Sequence, residues 1–173
     1  MVYITTQQGK DYLKVQKLAG EVEGIVQHPR HFYKIMADHF GDTFFVAKED
    51  KTEMSDVLGY LMGFLSNKMK DHLFLWQIAV SEKAQGQGIG SKLLKHSIKY
   101  AQNSEECKAI LATVDTDNLA SQHLFEKMNF KIASECFKGF EQELIVENGK
   151  EAIIDYYSSS SGTNQIFYVL KLD

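Results

Sequence analysis

Residues 73–101 constrain the fold more than any other stretch of the chain. Leu73–Val80 (LFLWQIAV) is almost wholly apolar and bounded by charge, the pattern of a strand covered on both faces. It runs into SEKAQGQGIG, whose glycines stand at alternate positions 86, 88 and 90. From Ser91 onward Leu93, Leu94, Ile98 and Ala101 recur at helical spacing. Ala109–Val114 (AILATV) then reads as another strand. Strand, glycine turn, helix and strand in that order predict a β-α-β unit at the centre of the fold.

The flanks read as antiparallel additions to that unit. Val2–Thr5 is a short strand, and Asp11–Leu18 a helix with Tyr12, Val15 and Leu18 on one side. Pro29 suits the first turn of a helix running through His39, with apolar Phe32, Ile35 and Met36 on one side. Thr43–Ala47 and Val57–Leu65 are strands joined by a polar, hairpin-type connection. Asn118–Met128 is a helix with Leu119, Leu124 and Met128 inward, and Lys131–Phe137 returns to strand. Asn148-Gly149 lies between two apolar runs, a strong two-residue hairpin signal. The SSSSG stretch is a loop, and Gln165–Leu172 a final strand. The fold class expected is α/β with a mixed sheet, as one domain over residues 1–173.

Composition narrows the function without choosing it. Nineteen Lys and Arg against 23 Asp and Glu leave a net charge of -4, so the whole chain carries no basic footprint for nucleic acid. No apolar run reaches the roughly 20 residues of a membrane span. The first residues lack the basic-then-apolar order of a secretory signal. Cys107 and Cys136 are too far apart for a CxxC motif, and reduced thiols in the cytoplasm are the expectation.

Gln85-Gly86-Gln87-Gly88-Ile89-Gly90 has a physical reading of its own. Glycines let backbone bend tightly and approach a ligand closely, while a helix N-terminus offers unpaired N–H groups and a positive dipole end. Together they suit a phosphate or pyrophosphate held by backbone alone. A Walker loop would need GxxxxGK[ST], and a dinucleotide fingerprint GxGxxG; the sequence has neither. A glycine-rich turn that simply starts a helix, without ligand, is the bland alternative.

Val80 followed by Gln85-x-x-Gly88-x-Gly90 resembles the acyl-CoA motif of the GNAT superfamily of N-acetyltransferases, V-x-x-x-x-[Q/R]-x-x-G-x-[G/A]. Downstream, Asn118-x-x-Ser121-x-x-Leu124-Phe125-Glu126-Lys127-x-Asn129-Phe130 resembles the family's second motif, N-x-x-A-x-x-L-Y-E-K-x-G-F. The match covers about residues 43–137. Within the superfamily, His39–Glu49, Leu73–Leu94 and Ala112–Phe125 are similar to the diaminobutyrate acetyltransferases of ectoine synthesis. The first 38 residues and the C-terminal tail do not match that group.

The resemblance implies a mostly antiparallel sheet with a splayed β-α-β site for acetyl-CoA and flanking helices. It assigns the backbone of Ile78, Ala79 and Val80 to the pantetheine arm. It sets Gln85, Gly86, Gln87, Gly88, Ile89, Gly90 and Ser91 around the pyrophosphate. Asn118 would contact the cofactor, or act as a helix cap. Phe125 stands where many members carry a tyrosine that protonates the leaving thiolate; it has no proton to give and either packs against the sulfur end or belongs to the core.

No general base can be named from sequence. Glu126 reads as a solvated or ion-paired helix residue, His123 has a suitable pKa but not the facing, and His72 and Asp71 fit a turn. Asp115 ends a strand beside the presumed gap, as a turn former or an anchor for an ammonium group. Trp76, in phase with Ile78 and Val80, reads as core or as a wall of the acceptor pocket. Cys107 shows no nucleophile context.

The implied reaction is acetyl transfer to a primary amine of a small molecule, of amino acid, diamine or polyamine type. Acetylation of a protein or peptide amine is the alternative, and a non-catalytic acyl-CoA-binding module a third reading. A homodimer is compatible, with the segment from Lys138 to Ser161 covering the pocket or pairing subunits.

Overall fold

The computed structural model describes residues 1–133, 135, 143–154 and 163–172. Their elements are β1 (Tyr3–Thr6), α1 (Asp11–Glu21), α2 (Arg30–His39), β2 (Phe44–Lys48), β3 (Val57–Leu65), β4 (His72–Val80), α3 (Ile89–Gln102), β5 (Ala109–Asp115), α4 (Leu119–Lys127), β6 (Lys131–Ile132), β7 (Leu144–Glu147), β8 (Lys150–Ile153) and β9 (Gln165–Lys171). The strands form one sheet in the order β1-β2-β3-β4-β5-β9-β8-β7, with β6 also pairing β9. Every pairing is antiparallel except β4 with β5, the two strands that α3 connects. A crossover helix is what a parallel pair requires. This is the mixed sheet expected from the sequence.

The two-residue period of the strands divides the core between the two faces of the sheet. Phe44, Val46, Tyr60, Met62 and Ala79 pack with Tyr12, Val15, Leu18, Tyr33 and Met36 of α1 and α2. Their neighbours Phe45, Ala47 and Leu61 turn the other way, joining Leu73, Leu75, Ile110 and Ala112 against Leu93 and Leu94 of α3 and Phe125 of α4.

Local chemistry sets several boundaries. Asp11 opens α1, accepts a hydrogen bond from the Gln8 N–H, and is salt-bridged to Lys48 at 3.1 Å with both side chains buried. Pro29, at φ -60°, caps α2, where a missing N–H costs nothing. The Asn118 side chain caps α4 by accepting from the Ser121 N–H at 3.0 Å. Asn129 ends the same helix at φ 66°, and the Phe130 N–H closes back on the Phe125 carbonyl. The GNAT motif has glycine at this position, and asparagine is among the few other residues that tolerate a left-handed turn. The β7–β8 hairpin turns through Asn148 and Gly149 at φ 53° and 76°, with Glu147 opposite Lys150.

Several sequence expectations need correction. Ile35 is half exposed, and Tyr33 takes the inward position beside Met36. On α4, Leu119 is exposed and Gln122 is buried, its amide donating to the Asp115 and Thr116 carbonyls. The inward face thus runs through Gln122 and Phe125 rather than Leu119, and satisfies strand-end carbonyls that an apolar side chain would leave unpaired. Thr43 belongs to a short 3-10 turn ahead of β2. β4 is covered on both faces only in part, because Trp76 is 43% exposed. The expected strand at 131–137 is described only as Lys131–Ile132, and residues 134, 136 and 137 lie outside the described residues, as does the whole SSSSG stretch. Among the described residues no helix is long and apolar enough to cross a membrane.

Candidate active site

β4 and β5 pair only along their first halves. The register runs from His72 opposite Ala109 to Leu75 opposite Ala112 and stops there. Beyond it, Ile78, Ala79 and Val80 pair with Leu61, Tyr60 and Gly59 of β3, leaving their β5-facing edge without a strand partner among the described residues. The gap is a cavity of about 390 Å³, walled by Trp76, Gln77 and Ile78 of β4, Thr113, Val114 and Asp115 of β5, and Asn118, Ser121 and Phe125 of α4. Its remaining wall is the α1–α2 loop, through Gly24, Ile25, Val26 and His28.

A bulge starts the divergence. Met62 of β3 faces Gln77, yet Gly63 faces Leu75, so Trp76 is an extra residue in β4. A bulge interrupts the strict alternation of a strand. Ile78 and Val80 accordingly pack on the α3 side, whereas the Trp76 ring sits 6.2 Å from the Phe32 ring of α2 and 6.3 Å from that of His28. Gln77 keeps to this same side, accepting from the Tyr60 hydroxyl and donating to the Val26 carbonyl. Trp76 is therefore not in phase with Ile78 and Val80, and it forms a wall of the cavity rather than a core packing residue.

The glycine turn lies at the β4–α3 junction. Gly86 and Gly88 have φ of 76° and 73°, and a Cβ at either would point into open space. Gly88 is the residue before α3, and among the described residues no side chain caps the N–H groups of Ile89, Gly90 and Ser91. The first helical bond comes from Lys92 to the Gly88 carbonyl. A Cβ on Gly90 would meet Leu124 at 3.3 Å, so glycine there lets α3 lie close to α4. Ile89 is buried in the core and offers the turn only its backbone. Gln85 donates weakly to the Val80 carbonyl at 3.4 Å, while Gln87 is exposed. Open space before uncapped N–H groups, beside a free strand edge, suits an extended ligand bearing a pyrophosphate.

The cavity's mouth is acidic. Glu23, Glu82, Asp115 and Asp117 line an adjoining hollow with Gln85 and Asn118, and Asp115 belongs to both spaces. The Asp115 carboxylate accepts from the Gln165 amide at 3.0 Å.

Phe125 is buried, stacks on Tyr168 at 17° and meets Phe130 edge-on. Tyr168 does not replace the tyrosine missing at 125. Its hydroxyl donates to Glu126, and burial together with that carboxylate pushes its pKa up. Glu126 is held below the usual carboxylate range by hydrogen bonds from Lys150 and Tyr168. Lys150 also reaches Gln122 at 2.9 Å, fastening the β7–β8 hairpin to α4. His123 is exposed, and Asp71 and His72 pair with each other at the far end of β4. Burial raises the Cys107 thiol pKa, which keeps the group unreactive.

The structure thus brings Trp76, Ile78, Asp115, Asn118 and Phe125 to one cavity and sets the glycine turn at its β4–α3 corner. Ala79 turns away into the α1–α2 core. Sequence reasoning missed His28, Gln77, Thr113 and Ser121. The first of these precedes Pro29 in a segment without periodicity or motif, so nothing local signals it.

The model of the Acetyltransferase (GNAT) family matches residues 12–130. The chain belongs to the GNAT acetyltransferase family. Among curated relatives, the L-2,4-diaminobutyric acid acetyltransferase of Shouchella clausii is 36% identical over 107 residues, covering 60% of this chain and 56% of that protein. The GNAT fold recurs in solved structures. The diaminobutyrate acetyltransferase of Paenibacillus lautus, in complex with L-2,4-diaminobutyric acid and coenzyme A, superposes with a TM-score of 0.67 at 20% identity over 97% of this chain and 94% of that one. A chain of the NatC complex, bound to Gag peptide and CoA, superposes with a TM-score of 0.74 at 16% identity over 99% of each chain.

Proposed function

We propose that this GNAT protein transfers acetyl from acetyl-CoA to a primary amine of a small molecule in the cytoplasm. The carrying observation is the gap beyond Leu75 and Ala112, with the uncapped α3 N-terminus at its corner. Backbone groups of Ile78, Ala79 and Val80 would pair with the pantetheine arm. The N–H groups between Gly86 and Ser91 would hold the pyrophosphate, with Gln85 and Gln87 beside it. Asn118 and Phe125 would line the thiol end. When bound, acetyl-CoA supplies the acetyl group as an activated thioester.

The chain's own part is alignment and exclusion of water. The bulge at Trp76 turns its ring and Gln77 toward the α1–α2 loop, forming an acceptor wall opposite Asp115. A cavity of about 390 Å³ favours a small acceptor. The carboxylates of Glu23, Glu82, Asp115 and Asp117 at its mouth favour a cationic one and disfavour nucleic acid. The diaminobutyrate named for the Shouchella clausii relative has that chemistry.

Thiol release from acetyl-CoA is the test, with L-2,4-diaminobutyrate, lysine, putrescine, spermidine and a short peptide with a free N-terminus. Release with a diamine or amino acid supports the reading. Release with the peptide alone moves the acceptor to proteins, and CoA binding without release by any amine makes the chain a binding module.

A further inference from the structure

Acetyl transfer to an amine needs a neutral nitrogen, whereas a primary amine reaches the cavity as an ammonium ion. Some group must accept a proton at the acceptor wall. Two ionisable side chains line the cavity among the described residues, His28 and Asp115. Asp115 already accepts from Gln165 and stands at the acidic mouth, where it suits attracting an ammonium group.

His28 is held firmly against the opposite wall. Its backbone N–H donates to the Tyr33 hydroxyl at 3.1 Å, and its ring lies 4.2 Å from that of Phe32. The Trp76 ring is 6.3 Å away, and the Val26 carbonyl, two residues earlier, accepts from Gln77 at 3.1 Å. The loop carrying His28 is thereby tied to the bulged segment of β4, where the strands part. Among the described residues neither imidazole nitrogen has a hydrogen-bond partner, so one is free to take a proton.

We propose that His28 is the general base that removes a proton from the acceptor's ammonium group. The inference rests on the amine-acceptor reading above. The ammonium proton passes to an imidazole nitrogen, and the freed lone pair forms the N–C bond. The C–S bond then breaks, and its electron pair leaves with sulfur. The second nitrogen proton reaches the sulfur through water, and His28 returns its own to solvent, so each turnover releases one proton. Of the other ionisable groups, the Tyr33 ring of α2 lies 6.3 Å from the imidazole, Arg30 and His31 open α2 just beyond Pro29, Glu23 of the loop lines the adjoining hollow, and Asp115 stands across the cavity on β5. Burial among the aromatic rings lowers the His28 pKa from 6.5, keeping the imidazole neutral and able to accept at pH 7.

The test compares wild type with His28→Gln and His28→Ala, using acetyl-CoA and the fastest amine of the panel. The imidazole of His28 is also titrated by NMR in the protein without acetyl-CoA. Support is a midpoint below 6.5 that coincides with an acidic limb in kcat/KM. His28→Gln then loses the limb and about 10²- to 10⁴-fold in kcat, with CoA affinity within threefold of wild type. Added imidazole restores part of the His28→Ala rate. Turnover within threefold of wild type, or a retained acidic limb at reduced rate, overturns the proposal. An NMR midpoint that does not coincide with the acidic limb of kcat/KM overturns it as well. Absence of turnover by wild type with every amine would instead count against the acceptor reading.

Discussion

Leu75 and Ala112 are the last pair through which β4 and β5 meet, and the bulge at Trp76 begins one residue beyond it. Those two features convert a parallel strand pair into a cleft. Leu75 and Ala112 are buried against α3, which fixes where the gap starts, while Trp76 turns outward to line it.

The chain contains one tryptophan, and it stands at this point of divergence. Its emission reports on the cavity directly. An acceptor amine that binds shifts or quenches the fluorescence saturably. Trp76→Ala raises the KM for that amine about tenfold, on the order of 1.4 kcal/mol, while CoA affinity measured by calorimetry stays the same. An unchanged KM would remove Trp76 from the acceptor wall.

Asp11 and Lys48 form a buried pair between α1 and β2, with side chains 1% and 3% exposed. Removing one partner strands the other charge. Asp11→Ala is expected to cost about 3–5 kcal/mol in urea unfolding, and the double replacement Asp11→Leu, Lys48→Met much less. A double variant no more stable than Asp11→Ala would show that shape, not charge, dominates the site.

Burial lowers the pKa of both His28 and His96 from 6.5. For each, the unfolded chain binds the proton more readily, so stability is fully present above 6.5 and falls as the pH drops through the folded values. Thermal melting is therefore expected to shift downward between pH 7.5 and 5.0. His96→Gln, made beside the Phe45 ring, should flatten part of that slope. An identical slope in the variant would contradict the assignment.

The central unit was readable in the residues because it rests on local rules. Alternate glycines, a helical repeat from Leu93 to Ala101 and an Asn-Gly turn each act within a few positions. The acceptor side was not readable, for three physical reasons. Register decides where β4 and β5 part, and alternation along one strand carries no record of its partner's end. A single bulge reverses the facing of Trp76 relative to Ile78, which no period-two reading detects. His28 gains its place from Tyr33 and from the Gln77–Val26 bond, contacts made across the fold. The polar inward face of α4 escaped for a related reason. Gln122 is buried to satisfy carbonyls of the β5–α4 turn, an obligation the helix's own pattern does not reveal.

The account depends most on the backbone cradle at the start of α3. Calorimetric titration of CoA into the wild-type chain and into Gly88→Val tests it directly. Gly88 sits at φ 73° with open space before it, so a branched side chain both strains the turn and fills the ligand's place. Saturable one-to-one binding by wild type and a loss of at least tenfold in Gly88→Val, with the circular dichroism spectrum unchanged, is the expected result. Equal affinity in the two proteins, or no binding by wild type, would contradict the cradle.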